Sequence, residues 1–177
     1  MKPKISVYIV NHNYHKYLKQ SIDSVLAQTF KNFELIIIDN GSSKYSKKIL
    51  DKYSSNSKIF TVFQSNKGLS TANNIAIRMA RGKYIIRLDG DDFFDKNALQ
   101  TMYHLMESNK ELCLVFPDYY EVDKNGNIIK QVRRHDFKKV KLLDQPAHGA
   151  CTMIRKENLL DIGGYDGEFS CQDGYYL

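Results

Sequence analysis

The sequence predicts an α/β domain with a mostly parallel central sheet flanked by helices and a small antiparallel element behind it. Three observations predict it. Over roughly the first 110 residues, β-branched apolar runs alternate with segments of helical period, the pattern of βαβ units with right-handed crossovers. The runs ISVYIV, FELIII and YIIRL are apolar almost throughout, as strands covered on both faces are. Three of the runs end in polar residues, at Asn11-His12-Asn13, at Asp39, and at Asp89-Gly90-Asp91-Asp92. Ligands of such sheets sit at the carboxyl ends of the strands, so these groups are expected along one edge.

The elements follow in order. Residues 5–10 form the first strand, and NHNYH is a polar loop. Residues 17–28 carry Leu18, Ile22, Val25 and Leu26 at helical spacing. Residues 33–43 are a second strand running into the turn signal Asp39-Asn40-Gly41. A short helix over 47–53 and a third strand over 59–63 come next. Asn66-Lys67-Gly68 punctuates before a helix over 69–80, and Gly82 is placed to cap it. A fourth strand, 83–88, leads into the acidic cluster. Asp95 is the expected cap of a helix with Leu99, Met102, Tyr103 and Met106 on one face. A fifth strand is expected over 112–116. Residues 119–122 and 128–132 flank Asp123-Lys124-Asn125-Gly126, a hairpin signal. A basic loop, RRHDFKKVK, precedes a strand over 150–154 and a short helix over 157–162 stopped by Gly163-Gly164.

The chain of 177 residues is long enough for one domain with a substantial core. Hydrophobic residues at 42% and charged residues at 26% are the proportions of a soluble globular protein. With 26 Lys and Arg against 20 Asp and Glu, the net charge of +6 suits an anionic ligand or an anionic membrane surface. No nucleic-acid-binding module is recognised, so nucleic acid is not an expected partner. Cys113, Cys151 and Cys171 are odd in number and form no C-x-x-C pair, which argues against a disulfide scaffold and for a reducing compartment. The apolar run 5–10 is too short for a signal sequence or a membrane span. A cytoplasmic protein, with room for peripheral contact at the inner face of the membrane, is the expected location.

The stretch YIIRLDGDDFF carries the chemistry. Asp89, Asp91 and Asp92 crowd one strand end and repel one another unless a cation sits among them. Oxygen ligands alone suit a hard divalent cation, Mn or Mg. Gly90 is expected to turn the backbone sharply and to admit a close ligand. A solvated acidic turn is the plain alternative for such a motif, and the convergence of three strand ends weighs against it.

Three stretches, SVYIVNHNYHKYLKQSIDSVLAQTFKNFELIIIDNGSS, NKGLSTANNIAIRMARGKYIIRLDGDDFF and GGYDGEFSCQDGYYL, together resemble the family 2 nucleotide-sugar glycosyltransferases, whose fold is the Rossmann-like GT-A fold. The resemblance divides the single domain into a nucleotide-sugar-binding half, about 1–110, and an acceptor-side half, about 111–177. It implies that Asp39 hydrogen-bonds the nucleotide base and that Asn11, His12 and Asn13 line the base and ribose pocket, with Asn66 and Gly68 in the same nucleotide-binding set. Asp89 would contact the ribose or the metal, and Asp91 would be the main protein ligand of a divalent cation bridging the diphosphate. Asp173 would be the catalytic base for an acceptor hydroxyl. The implied reaction is inverting, metal-dependent transfer from a UDP-sugar to a saccharide or glycolipid acceptor in polysaccharide or glycolipid synthesis.

The chain departs from the family pattern in three places. Asn73 stands where Arg is frequent, and Gln172 where Glu often precedes the base. Family members normally continue well beyond the base segment, whereas Leu177 follows Asp173 by four positions. The sequence therefore reads as a truncated catalytic domain, or one completed by a partner, with weak or absent transfer by this chain alone, and apolar surface left exposed by truncation would favour a homodimer. The alternative is a nucleotide-sugar-binding module without turnover. A nucleotidyltransferase would want a Gly-rich phosphate loop after the first strand, which NHNYHKYL does not supply.

Overall fold

The structure is a computed structural model that describes residues 2–133 and 150–166. Asp173, the rest of the tail from 167 on, and the basic loop from 134 on lie outside the described residues. The order of elements is β1 (Ile5–Asn11), α1 (Leu18–Leu26), β2 (Phe33–Asn40), α2 (Lys44–Leu50), β3 (Ile59–Gln64), α3 (Leu69–Met79), β4 (Tyr84–Asp89), α4 (Ala98–Ser108), β5 (Leu114–Val115), β6 (Tyr119–Val122), β7 (Ile128–Val132), β8 (Met153–Arg155) and α5 (Lys156–Asp161). A 3-10 turn over Asp51–Tyr53 extends α2.

Six strands form the main sheet in the order β3-β2-β1-β4-β8-β5, and β6 and β7 pair separately as the expected hairpin. β3, β2, β1 and β4 are mutually parallel, while β8 runs antiparallel to both β4 and β5. The period of two along each strand divides the core between the two faces. Ile5, Val7, Ile9, Leu35, Ile37, Ile86 and Leu88 pack with residues of α1, α2 and α4. Tyr8, Ile36, Ile38 and Ile85 pack with Ala72, Ala76 and Ile77 of α3 and Leu159 of α5. Both faces are covered, which is why these strands are apolar almost without interruption.

Four local expectations are corrected. Gly82 is not a left-handed helix cap, since its φ is not positive and Ala80 closes α3. A Cβ on Gly82 would lie 2.6 Å from the Ser6 amide nitrogen and 2.8 Å from the Tyr84 carbonyl oxygen, so glycine is needed there for close backbone packing against β1. Asp95 does not cap α4. Asn97 is the N-cap residue, and Asp95 Oδ1 accepts the Asn97 amide at 2.8 Å one turn earlier. The first turn of α4 is satisfied from elsewhere, by buried Gln28, whose Oε1 accepts the Leu99 amide at 3.0 Å. The fifth strand shrinks to Leu114 and Val115, with Cys113 adding only its carbonyl, which accepts the Arg155 amide at 2.8 Å, and Pro117 cannot donate further along. The strand expected over 150–154 begins at Met153, with Ala150 making an isolated bridge to Arg87.

Candidate functional site

The parallel register sets the polar strand ends level. Asn11 lies opposite Asp39 across β1 and β2, and Val10 lies opposite Asp89 across β1 and β4. The chain winds outward from β1 to β3 and then crosses back to β4 on the other side of β1. The winding reverses between β1 and β4, the point at whose carboxyl edge sheets of this kind bind their ligands.

Asp39 is 1% exposed. Its Oδ1 accepts the Ser42 amide at 3.0 Å, but its Oδ2 is buried with no hydrogen-bond partner. A buried carboxylate oxygen without a donor is costly, so this oxygen is available to a donor entering from the cleft. Asp39 lines a cleft of about 430 Å³ together with Lys47, Phe63 and Gln64. The Phe63 ring is 51% exposed, and the Lys47 ammonium lies 5.8 Å from its centroid. The cleft thus offers a fixed acceptor, an aromatic wall and a mobile cation.

The residues around this cleft are held by one another. Asn11 is wholly buried. Its Nδ2 donates to Ser42 Oγ at 2.8 Å and its Oδ1 accepts the Tyr14 amide at 3.2 Å, so it ties two loops together. His12 Nδ1 lies 2.9 Å from the Asn40 carbonyl. A carbonyl can only accept, so Nδ1 donates. Asn13 takes the left-handed conformation, φ 66°, and its Oδ1 accepts the Ser43 amide at 2.9 Å. His12 and Asn13 are exposed at the rim. Asn66 Oδ1 accepts from Asn40 Nδ2 and from the Gly68 amide, both at 3.0 Å, so Asn66 and Gly68 belong to the framing loop.

At the next strand end Asp89 is paired with buried Arg87, whose Nε lies 2.9 Å from Asp89 Oδ1. Asp91 and Asp92 are exposed beyond it. Burial by the surrounding loop holds the Asp91 carboxyl above its ordinary range, and the charge of Asp89 adds to the effect. Tyr14 is pushed up in the same way, by burial and then by the charges of Asp91, Asp89 and Asp92. Gly90 sits in the expected turn, closed by the Asp92 amide donating to the Asp89 carbonyl at 3.1 Å, and it makes that turn without a positive φ. Its missing side chain leaves room for Tyr14, whose ring a Cβ would approach to 3.2 Å. Among the described residues no three His, Cys, Asp or Glu side chains converge on one point. That donor set fits a Mg-like ion, which rests on one or two carboxylates and takes its other ligands from phosphates and water, rather than a closed protein cage.

The sequence pointed to the three strand ends but not to Asn40, Lys47, Phe63 or Arg87. Asn40 and Arg87 stood in plain view next to Asp39 and Asp89. Phe63 left a weaker signal, a second aromatic on a strand whose edge position the sequence does not reveal.

A mostly parallel α/β sheet with a buried carboxylate and an acidic strand end on its carboxyl edge has the GT-A type of fold. Comparison with known proteins makes the assignment specific. The family model described as glycosyl transferase family 2 matches residues 6–163, and the chain belongs to that family. It is 38% identical over 146 residues to an uncharacterized glycosyltransferase of Methanocaldococcus jannaschii, covering 79% of this chain and 50% of that protein. It is 34% identical over 128 residues to chondroitin synthase of Escherichia coli, covering 72% of this chain and 19% of that protein. Among solved structures, residues 1–349 of S. aureus TarS in complex with UDP superpose with a TM-score of 0.76 at 19% identity, covering 94% of this chain and 51% of that one. The mannosyltransferase PcManGT of Pyrobaculum calidifontis, in complex with GDP-Man and Mn2+, gives 0.73 at 18% identity, covering 95% and 49%. The chain thus spans about half or less of the length of these relatives. Among the described residues, no helix is long and apolar enough to cross a membrane.

Proposed function

We propose that this chain is the donor-binding catalytic portion of an inverting glycosyltransferase that moves a sugar from a nucleoside diphosphate to an acceptor hydroxyl of a saccharide or glycolipid. The observation that carries it is the unpartnered Asp39 Oδ2, buried beside an open cleft two strands away from the acidic end of β4. That oxygen calls for a ring N–H. Uracil, thymine and guanine present one, whereas adenine and cytosine turn a lone pair to the same position. Uridine is the reading adopted here, and Phe63 supplies a face for the base to stack on. Solved relatives carry donors of this class, UDP and UDP-GlcNAc in TarS and GDP-Man in PcManGT.

Asp91, with Asp89 beside it, would hold a divalent cation, Mn or Mg, together with the donor's phosphates. Such an ion offsets the charge that develops on the leaving diphosphate. Arg87 holds the Asp89 carboxylate in place at the strand end. Asp173 takes the proton of the acceptor hydroxyl as it attacks the anomeric carbon from the face opposite the diphosphate, which inverts that centre. Positioning and electrostatics carry most of the rate in a displacement of this kind.

Calorimetric titration with UDP, GDP and dTDP, with and without Mn, on the wild type and Asp91→Ala tests the donor site. Binding of one nucleotide that needs Mn and is lost in Asp91→Ala supports it. No binding of any of the three by folded protein overturns it.

A further inference from the structure

The loop that follows α5 is bound into the sheet by a buried polar chain that ends at the acidic strand end. Gly164 has a φ of 85°, and a Cβ there would meet Asn74 Oδ1 at 2.6 Å. Asn74 uses the space so left. Its Nδ2 donates to the Tyr165 carbonyl at 2.8 Å, and its Oδ1 accepts the Tyr165 amide at 2.9 Å. With its backbone fixed on α3, Tyr165 shares a side-chain hydrogen bond with Tyr8 of β1, which is 2% exposed. Tyr8 pairs in register with Arg87 across β1 and β4, and both side chains are buried. Arg87 is 5% exposed and holds Asp89. Its carbonyl also accepts the Cys151 amide at 2.7 Å, which ties in the segment before β8.

We propose that Tyr165, Tyr8 and Arg87 are positioning residues that set the loop 163–166 in fixed register with Asp89, so that movement at either end is felt at the other. Four separate elements meet in this chain, namely β1, α3, β4 and the loop after α5. None of the three side chains needs to touch a substrate. Their work is to keep the acceptor-side backbone and the donor-side carboxylates in one relative position, where a misplacement of about 1 Å is enough to cost on the order of a hundredfold in rate. The coupling has its purpose in the sugar-transfer reading, but the contacts stand without it.

Amide hydrogen exchange on the ligand-free chain separates the two. The Asp92 amide donates to the Asp89 carbonyl at 3.1 Å and reports on the acidic strand end. Tyr165→Phe and Tyr8→Phe should each speed exchange at 89–92 by about five- to tenfold, the worth of one net hydrogen bond, with amides of β2 and β3 unchanged. Tyr120→Phe, at a hairpin position 55% exposed, should change nothing there. In an Arg87→Lys background Tyr165→Phe should have no further effect on 89–92. Should Arg87→Lys fail to fold, Tyr8→Phe serves as the break in the chain. Faster exchange confined to 163–166, or spread evenly over the whole chain, would overturn the coupling. A second arm compares ligands. Tyr165→Phe should weaken Mn-UDP by a similar factor and leave uridine binding unaltered. Failure of the wild type to bind either would count against the donor-site reading, with the exchange result still deciding the coupling.

Discussion

Asn40 and Asn66 face each other amide to amide, with Asn40 Nδ2 donating to Asn66 Oδ1 at 3.0 Å. Asn40 is 4% exposed, and its own Oδ1 accepts from Gln64 Nε2 at 2.7 Å and from the Lys67 amide at 3.1 Å. One side chain at the end of β2 thereby holds the whole loop between β3 and α3. Asn40→Ala leaves several of these groups without partners and should destabilise the fold by about 2–3 kcal/mol. Urea denaturation at constant m-value checks it. A shift under about 0.5 kcal/mol would mean that water replaces the network freely.

Gly41 closes the same corner. Its φ is 79°, and a Cβ would sit 2.6 Å from the Asn66 backbone nitrogen. Strain and overpacking act together in Gly41→Ala, which should cost about 2 kcal/mol or more. Gly68→Ala is the informative contrast. A Cβ there meets nothing within 4 Å, but with φ 80° and ψ 166° the backbone lies in a region open essentially to glycine only, so it should cost about 1–3 kcal/mol from backbone conformation alone. Urea denaturation of both variants checks these values, and a loss under about 0.5 kcal/mol at either site would show that the strain is relieved locally.

Gly82→Ala is expected to be the most damaging of the glycine substitutions, at about 3 kcal/mol. All three atoms that its Cβ would meet, on Ser6, Ile5 and Tyr84, are backbone atoms of the central strands. Thermal melting of the purified variant, or failure to recover folded protein, is the measurement.

Asp39→Asn should change which base is accepted as well as how tightly. The Ser42 amide needs an acceptor at Oδ1, so the amide oxygen stays there and the NH2 group turns into the cleft in place of Oδ2. UDP affinity should then fall by about 10- to 100-fold, the cost of opposing two donors in a buried site. CDP, which offers a ring lone pair, should gain relative to UDP. Titration of the variant with both nucleotides checks this, and an unchanged UDP affinity would place the base elsewhere.

Glu107 predicts a pH dependence. Hydrogen bonds from Lys83 and Tyr84, both at 2.6 Å, hold its carboxyl below its ordinary range. The folded chain therefore binds this proton less tightly than the unfolded chain does. The contribution to stability is full above the unfolded value, about 4.3, and is lost as pH falls through the lower folded value. Glu107→Gln should flatten the stability profile below about pH 5, as measured by urea midpoints across that range. A wild-type and a variant profile that stay parallel would remove Glu107 from the account.

By itself the sequence determined the elements, their order and the edge on which polar residues collect. Continuous β-branched runs such as FELIII can be stable only where both faces are covered, and alternation with helices then forces parallel pairing. Asp39 and Asp89 were legible because a carboxylate directly after a buried strand can only emerge at the sheet's carboxyl edge. Tertiary structure alone decided what distant residues do to one another. Gly82 looked like a helix cap and is a packing requirement set by β1. Asp95 looked like the cap of α4, which Gln28 supplies from 71 positions away. The orphan oxygen of Asp39, the grip of Asn74 on Tyr165 and the meeting of Tyr8 with Arg87 depend on which backbone groups are already satisfied. Local periodicity carries no record of that, because hydrogen-bond partners and side-chain clearances are fixed only when elements far apart in the chain are packed together.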